Sequence, residues 1–334
     1  MKVSETGEFG FIDAISTNTL YDTSSVIQGI GDDCAVYRAT PDYEQLITTD
    51  MMVEGIHFSA ETTAPFDVGY RLGAANISDI AAMGGVPKQA VIAVAIPQAT
   101  ELAYMKSIFT GLKAICSKYK VNLIGGDTVT TKGPLVLNVT VIGEVPSGQA
   151  VLRSGAQVGD IVVVTNEIGS SAAGLAALLE KCEGFNFCKK AHQQPEPQIY
   201  WGQWLRQQGA TALNDISDGL SSELHEIAKA SNVSIEIEAE SIPLHKEVIT
   251  LAEQLSVDPL NWALYGGEDF QLVATVPAKL RPLIEAQESL HCIGRVTSNS
   301  SNNANHVILR TRSNTTISLY AKGYDHFKQH QSKE

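Results

Sequence analysis

The chain has 334 residues, 44% of them hydrophobic and 18% charged, which suits two medium folded domains and excludes disordered, collagen-like and low-complexity classes. Acids outnumber bases 37 to 24, a formal net charge of −13, so the composition supplies no basic face and no nucleic-acid partner is expected. Five cysteines without a CxxC pair argue against a zinc framework or disulfide scaffold, and Cys182 and Cys188 are read as reduced thiols. The N-terminal stretch has no long apolar run, and no segment is long enough to span a bilayer. A cytoplasmic protein with no membrane partner is the expectation.

In chain order, a helix is predicted over Gly10–Asn18, then a Gly-rich turn at Gly29–Asp33. A strand covers Gln45–Thr49 and ends at Asp50. Leu72, Ala75, Asp79 and Ala82 recur at helical spacing within Asp67–Met83, which Gly84 and Gly85 stop. Lys88–Ile96 is an apolar strand closed by Pro97, Ala99–Tyr119 a second amphipathic helix, and Val121–Ile124 and Leu135–Val145 are strands. The first half therefore reads β-α-β-α-β-β, an α+β or ferredoxin-like order. Small and polar residues across 146–155 mark a boundary, with 1–148 as the first domain and 149–334 as the second. In the second, strands are expected at Asp160–Thr165, Val233–Ala239, Gln271–Val276, Cys292–Val296 and His306–Thr311. Helices are expected at Ser170–Glu180, Gln198–Gln207, Ser221–Ala230 and Glu247–Gln254. Lys181–Pro197 has no periodicity and reads as an exposed connection; Asn299–Asn305 reads as a polar turn.

The placement of the acids is the informative feature. Asp32 and Asp33 follow a Gly turn, Asp50 ends a strand, and Asp79 faces one side of a helix. Asp127 follows Gly125 and Gly126, Asp215 and Asp218 lie in NDISDG, and Glu268 and Asp269 follow Gly266 and Gly267. Any one of these suits a turn or an N-cap. As a set, acids among small and apolar neighbours do not resemble a solvated face, where lysines interleave. Grouped carboxylates repel unless cations neutralise them, and oxygen donors with few His or Cys suit Mg²⁺ rather than zinc. Glycines beside the acids let phosphate oxygens approach backbone N–H groups. The chemistry implied is phosphoryl transfer, in which catalysis is mainly positioning and charge neutralisation. There is no GxxxxGK[ST] P-loop, no HRD or DFG set and no GxGxxG between strand and helix, so a conventional ATPase or dehydrogenase is disfavoured.

Eight segments in order, GIGDDCA (29–35), TTDMMVEGIHF (48–58), NISDIAAMGG (76–85), LIGGDTV (123–129), RSGA (153–156), DISDGL (215–220), GGEDF (266–270) and KGYDHF (322–327), resemble the thiamine-monophosphate kinase family. That family sits in a superfamily with aminoimidazole ribonucleotide synthetase and selenophosphate synthetase, and the resemblance spans nearly the whole chain. It implies a two-domain aminoimidazole ribonucleotide synthetase-like fold of mixed α+β and α/β character. The N-terminal sheets would join into a barrel in a homodimer, the C-terminal domain would be an α/β sandwich, and the active site would lie between the domains. It implies ATP-dependent phosphorylation of thiamine monophosphate to thiamine diphosphate by direct in-line transfer, assisted by several Mg²⁺ ions. Carried over by motif, Asp33, Thr48, Thr49, Asp50, Asp79, Asp127, Asp215 and Asp218 resemble metal ligands. Gly126, Asp127, Arg153 and Ser217 resemble ATP contacts, and His57, Glu268 and Tyr324 contacts to the thiamine phosphate. Asp127, Arg153 and Asp215 are the residues expected to carry the transfer; Asp32 is left unassigned.

Four residues at three places depart from the family pattern. Asn166 and Glu167 stand where a Thr-Gly turn is usual, Gln198 where an arginine is common, and Tyr265 where a small residue is frequent. The alternative is another ATP- and Mg²⁺-dependent enzyme of the superfamily, a cyclo-ligase acting on a purine precursor; the GIHF and GYDHF segments argue against it. Selenophosphate synthetase needs a reactive residue near the N-terminus, and Met1–Gln28 holds no cysteine.

Overall fold

The computed structural model describes residues 2–30, 35–299 and 306–321. It divides into two units, Met1–Ala150 with Gln193–Arg206, and Val151–His192 with Gln207–Glu334. The segment 193–206, which the sequence reading puts in the second domain, thus belongs with the first. It is tied there by Gln194 Nε2 donating to Asp67 Oδ1 (2.6 Å) and Tyr119 Oη donating to Glu196 Oε1 (2.6 Å).

The first unit runs α1 (Val3–Ile15), β1 (Val26–Gln28), β2 (Val36–Tyr37), β3 (Tyr43–Val53), α2 (Pro65–Ala82), β4 (Val86–Pro97), α3 (Leu102–Tyr119), β5 (Asn122–Thr131) and β6 (Val136–Pro146). The main sheet has the order β3-β6-β4-β5, with β4 and β5 parallel and β6 antiparallel to both β3 and β4. It is a mixed sheet, not the antiparallel sheet of a ferredoxin fold. The reason lies in the connections: α2 and α3 are crossovers, and a helical crossover joins parallel strands. Pro65 starts α2 at a position where a missing N–H costs nothing, and Gly84 at φ +68° follows its end. Nearly all of α2 is buried, so small residues let its neighbours approach. A Cβ on Gly69 would stand 1.8 Å from the Ile108 carbonyl oxygen, and one on Gly111 1.8 Å from that of Phe66. The α2–α3 contact therefore depends on this reciprocal glycine pair.

The second unit runs β7 (Ile161–Thr165), α4 (Ser170–Leu179), α5 (Asn186–Gln193), β8 (Ala212–Asp215), α7 (Leu220–Ser231) and β9 (Ser234–Glu238), while α6 (Ile199–Gln208), between α5 and β8 in the chain, belongs to the first unit up to Arg206. The second unit closes with α8 (Lys246–Leu255), α9 (Pro259–Tyr265), β10 (Leu272–Val276), α10 (Arg281–Glu285), β11 (Leu290–Thr297), β12 (Val307–Arg310) and β13 (Thr316–Ser318). The sheet order is β13-β12-β9-β11-β7-β10-β8, antiparallel except for β12 with β9. Every residue of β7 and β10 is buried, as central strands covered on both faces require. One core, with Val162, Val164, Leu224, Ile227, Ile235 and Val273, packs α7 against the sheet; a smaller one joins Ala173, Ala177, Cys188, Val248 and Leu251.

Most elements fall where periodicity places them. The opening helix instead covers Val3–Ile15, and β5 runs on through Gly125, Gly126 and Asp127 to Thr131, because β4 offers a parallel partner for its whole length. The supposed exposed connection 181–197 contains α5, which buries Cys188 (0% exposed) and His192 (3% exposed). Eight residues with two buried positions are too short for a periodic signal. Strands β8 and β13 and helices α9 and α10 escape for the same reason. Cys182 and Cys188 are both free thiols. Among the described residues, no helix is long and apolar enough to cross a membrane.

Candidate active site

Strand alternation sorts the named residues of the first unit. On β3, Thr48, Asp50 and Met52 share the face toward α2, while Ile47, Thr49 and Met51 share the opposite face. Thr48 Oγ1 donates to Asp79 Oδ2 of α2, and the Asp50 N–H donates to Asn76 Oδ1 (3.1 Å) one helical turn earlier. Thr48, Asp50 and Asp79 are therefore brought together, each partly buried. Thr49 is not with them: its hydroxyl accepts from Thr140 Oγ1 (2.9 Å) and Asn138 Nδ2 (3.1 Å) on the other face. Asp127 is also on that face, since it pairs with Ala93, Ala93 with Asn138 and Asn138 with Met51. It is exposed and accepts the N–H of Thr128 (2.9 Å). Gly126 beside it has no room for a side chain, as a Cβ would stand 2.1 Å from the Ile92 carbonyl oxygen.

His57 follows β3 in a turn that locks its ring. Its Nδ1 accepts the Val53 N–H (3.0 Å), its own N–H donates to the Val53 carbonyl (2.9 Å), and the buried Arg71 donates to its carbonyl oxygen. The Nδ1 bond leaves the ring proton on Nε2. Asp33, Asp32 and Tyr324 lie outside the described residues.

In the second unit the named residues sit on loops laced to one another. Asp215 ends β8 and is buried, Ser217 is partly buried, and Asp218 is exposed. The Ser217 carbonyl accepts from the Glu268 N–H (2.7 Å), and the Ile216 carbonyl from the Phe270 N–H (3.0 Å). Glu268 and Phe270 both have positive φ, +63° and +49°, in the left-handed region that non-glycine residues seldom adopt. Those two bonds hold the turn in that conformation. Arg153, half-exposed, donates from Nε to Asn214 Oδ1 (3.0 Å), and its guanidinium approaches Glu226 (3.8 Å).

Three further residues belong to this network: Asp269, which the sequence marks only as one of the acids beside glycine, and Glu223 and His192, which sequence reasoning did not single out. Glu223, in the first turn of α7, accepts from the Asp218 N–H (3.1 Å), Ser217 Oγ (3.3 Å) and Asn214 Nδ2. Burial pushes its carboxyl up to about 7, opposed by the Asp218 N–H, while the Asp218 charge adds to the rise and Arg153 and Ser217 lower it. Asp269 is buried at the N-terminus of α4, where it accepts the N–H groups of Gly169 (2.5 Å) and Ser171 (2.9 Å). Burial pushes it up to about 7 against the pull of those N–H groups and that of Ser170. In GGEDF, then, Glu268 is partly open to solvent while Asp269 holds a helix end. His192 lies with Nδ1 3.2 Å from Ser171 Oγ and 3.9 Å from Glu268 Oε2. No motif flagged Glu223 or His192; the acid-rich GGED and DISDG segments were the signal available.

The departures from the family pattern are accommodated locally. Asn166, at φ +44°, donates its N–H to the Ser289 carbonyl (2.8 Å) and Nδ2 to Gln271 Oε1 (3.0 Å). Gln198 is buried and donates Nε2 to the Glu196 carbonyl (2.6 Å), and Tyr265 packs at the edge of the larger core.

The fit to a metal follows from donor chemistry. Thr48, Asp50 and Asp79 offer only hydroxyl and carboxylate oxygen, the set that hard Mg²⁺ prefers. Among the described residues, one trio of ligand-type side chains has its atoms within 4.8 Å of one another, Cys188, His245 and Glu247. Its members are occupied in joining α5 to α8. Glu247 Oε2 accepts the N–H groups of Phe187 (3.0 Å) and Cys188 (3.2 Å), His245 Nδ1 accepts that of Glu247 (3.2 Å), and burial pushes the Cys188 thiol up to about 12.

Two family models match the chain: AIR synthase related protein, N-terminal domain, over residues 31–145, and AIR synthase related protein, C-terminal domain, over 157–306. A thiamine-monophosphate kinase of Bacillus subtilis strain 168 is 43% identical over 332 residues, covering 96% of this chain and 99% of the relative. The crystal structure of a thiamine-monophosphate kinase from Stenotrophomonas maltophilia K279a matches with a TM-score of 0.80 at 32% identity, over 91% of this chain and 96% of that one. A structure described as AaThiL complexed with AMPPCP and TMP matches with a TM-score of 0.76 at 31% identity, over 98% and 99%.

Proposed function

We propose that this chain, which belongs to the thiamine-monophosphate kinase family of AIR synthase-related proteins, transfers the γ-phosphoryl group of ATP to thiamine monophosphate, giving thiamine diphosphate and ADP. The observation that carries this reading is the end-to-end likeness to such kinases. One relative was solved with AMPPCP, a nucleotide whose methylene bridge resists cleavage, together with TMP.

In this reading the bond between the γ-phosphorus and the β–γ bridging oxygen breaks, and an oxygen of the acceptor phosphate bonds to that phosphorus in line. The acceptor is already an anionic phosphate oxygen, so the chain need not supply a general base. Its work is to hold highly charged groups in alignment. Thr48, Asp50 and Asp79 would hold one Mg²⁺; Asp33, Asp215 and Asp218 are further ligands the family resemblance implies, as is Asp127, which on the other sheet face would serve a different ion; Thr49, on that face too, would contribute at most its backbone oxygen to the Thr48 group. Bound Mg²⁺ would neutralise the charge of the phosphate oxygens. Arg153 offers a planar cation to a phosphate oxygen and Ser217 a hydroxyl, and Gly126 is the further ATP contact that the family resemblance implies. His57, with its proton held on Nε2, Glu268 and Tyr324 would contact the thiamine phosphate.

A homodimer through the first unit belongs to the same proposal. The outer face of its sheet carries Ile47 (74% exposed), Met51 (53%) and Val129 (52%), an apolar surface that a second copy would cover. A cytoplasmic location is part of it too. The test is mass analysis of the purified protein with ATP, Mg²⁺ and thiamine monophosphate. Thiamine diphosphate with equimolar ADP, abolished by EDTA, is expected. ADP with free phosphate and no thiamine diphosphate would sink the kinase reading.

A further inference from the structure

Four of the hydrogen bonds above share one polarity. Glu223 and Asn214 are both nearly sealed from solvent, 3% and 2% exposed, on the first turn of α7 and the end of β8. In its ionised form Glu223 can only accept, so Oε1 takes the Asp218 N–H and Ser217 Oγ, and Oε2 takes Asn214 Nδ2. With its Nδ2 so committed, the Asn214 amide must turn Oδ1 the other way, where it accepts Arg153 Nε at 3.0 Å. Each end of this chain reaches a residue that the proposed reaction uses: Arg153, Ser217 and Asp218.

We propose that Glu223 is a positioning residue of the phosphoryl-transfer site, fixing Arg153, Ser217 and Asp218 relative to one another through Asn214. The inference rests on the reaction proposed above. A simpler role would be helix capping, because Asp218 immediately precedes the N-cap residue Gly219. Capping needs only the bond to the Asp218 N–H. It does not account for a buried carboxylate that also takes Ser217 and Asn214, nor for the Asn214 amide aimed at Arg153.

The two roles part on a change of polarity. In Glu223→Gln the amide oxygen keeps the Asp218 and Ser217 bonds, so the cap survives, but its NH₂ faces Asn214 Nδ2. Asn214 must then flip and presents a donor to Arg153 Nε. Adding Asn214→Asp restores every match: one oxygen of the new carboxylate accepts from the amide at 223, the other from Arg153, and the pair keeps its single negative charge. The measurements are kcat/KM for ATP, the melting temperature and the Kd of AMPPCP for wild type, E223Q and E223Q/N214D. E223Q is expected to lose about tenfold in kcat/KM with a wild-type melting temperature, the size of one charge-assisted hydrogen bond. The double variant is expected within about threefold of wild type. Unchanged kcat/KM in E223Q, or a double variant no better than E223Q while both melt like wild type, overturns the proposal. Should E223Q not fold, the double variant carries the test, and turnover below about one-tenth of wild type in a folded double variant overturns it. A wild-type protein that makes no thiamine diphosphate overturns the functional reading instead. The relay is then judged on AMPPCP affinity, where an unchanged Kd in E223Q rejects it.

Discussion

The two units hold their polar residues by opposite means. In the first, Thr48 and Asp50 sit on a regular strand and Asp79 on a regular helix, and the distances between them follow from pleat and helical repeat. In the second, Arg153, Ser217, Asp218 and Glu268 sit on loops, held by cross-links such as Glu268 N–H to the Ser217 carbonyl. A strand sets which face a residue occupies and tolerates changes nearby; a loop sets nothing until its hydrogen bonds are made. The first arrangement is exposed to loss of charge chemistry, the second to loss of any one buried partner.

Five substitutions, the last two taken as a pair, sharpen that contrast. The largest expected effect is Asp79→Asn, which keeps shape but removes a carboxylate beside Thr48: turnover should fall about 10³-fold with the melting temperature unchanged or raised. A folded variant with near-normal steady-state rates would remove Asp79 from the metal set. Next, Ile47→Glu places a charge on the outer sheet face and should shift the protein from dimer to monomer in sedimentation. Equal masses for variant and wild type would put the dimer contact elsewhere. On the loop side, Asp269→Ala leaves buried N–H groups of α4 without their acceptor and should cost about 2–3 kcal/mol in urea unfolding. A cost below about 0.5 kcal/mol would show that water replaces the carboxylate. The smallest effects come from the pair Thr48→Val and Thr49→Val. The first should lower kcat/KM about tenfold and the second by less than about twofold, because only Thr48 faces Asp79. Equal losses would erase the distinction between the two faces.

Much of the first unit could be read from the chain. The spacing of Leu72, Ala75, Asp79 and Ala82 marks α2, and the alternation along Leu135–Val145 marks β6. The split of Thr49 and Asp127 from Thr48 and Asp50 could not, because it depends on register: Asp127 takes its face from Ala93 of β4, 34 residues earlier. The same limit applied to α5. Its eight residues carry only a one-turn stripe of Phe187, Cys188 and Ala191, too short to tell a helix from a loop, and burial of Cys188 and His192 becomes visible only once α4 and α8 stand beside them.

What the sequence determined by itself was chemical: acids beside glycines in a fixed order of motifs, the absence of other nucleotide-binding signatures, and from these a family. Those are properties of residue type and order, and they survive without coordinates. The tertiary structure decided which of those acids act together and which serve the fold. Asp269 caps a helix while its neighbour Glu268 stays partly open, and Glu223, in no motif, gathers Asn214, Ser217 and Asp218. A carboxylate's role depends on the donors around it, and those donors are brought from distant parts of the chain only by folding.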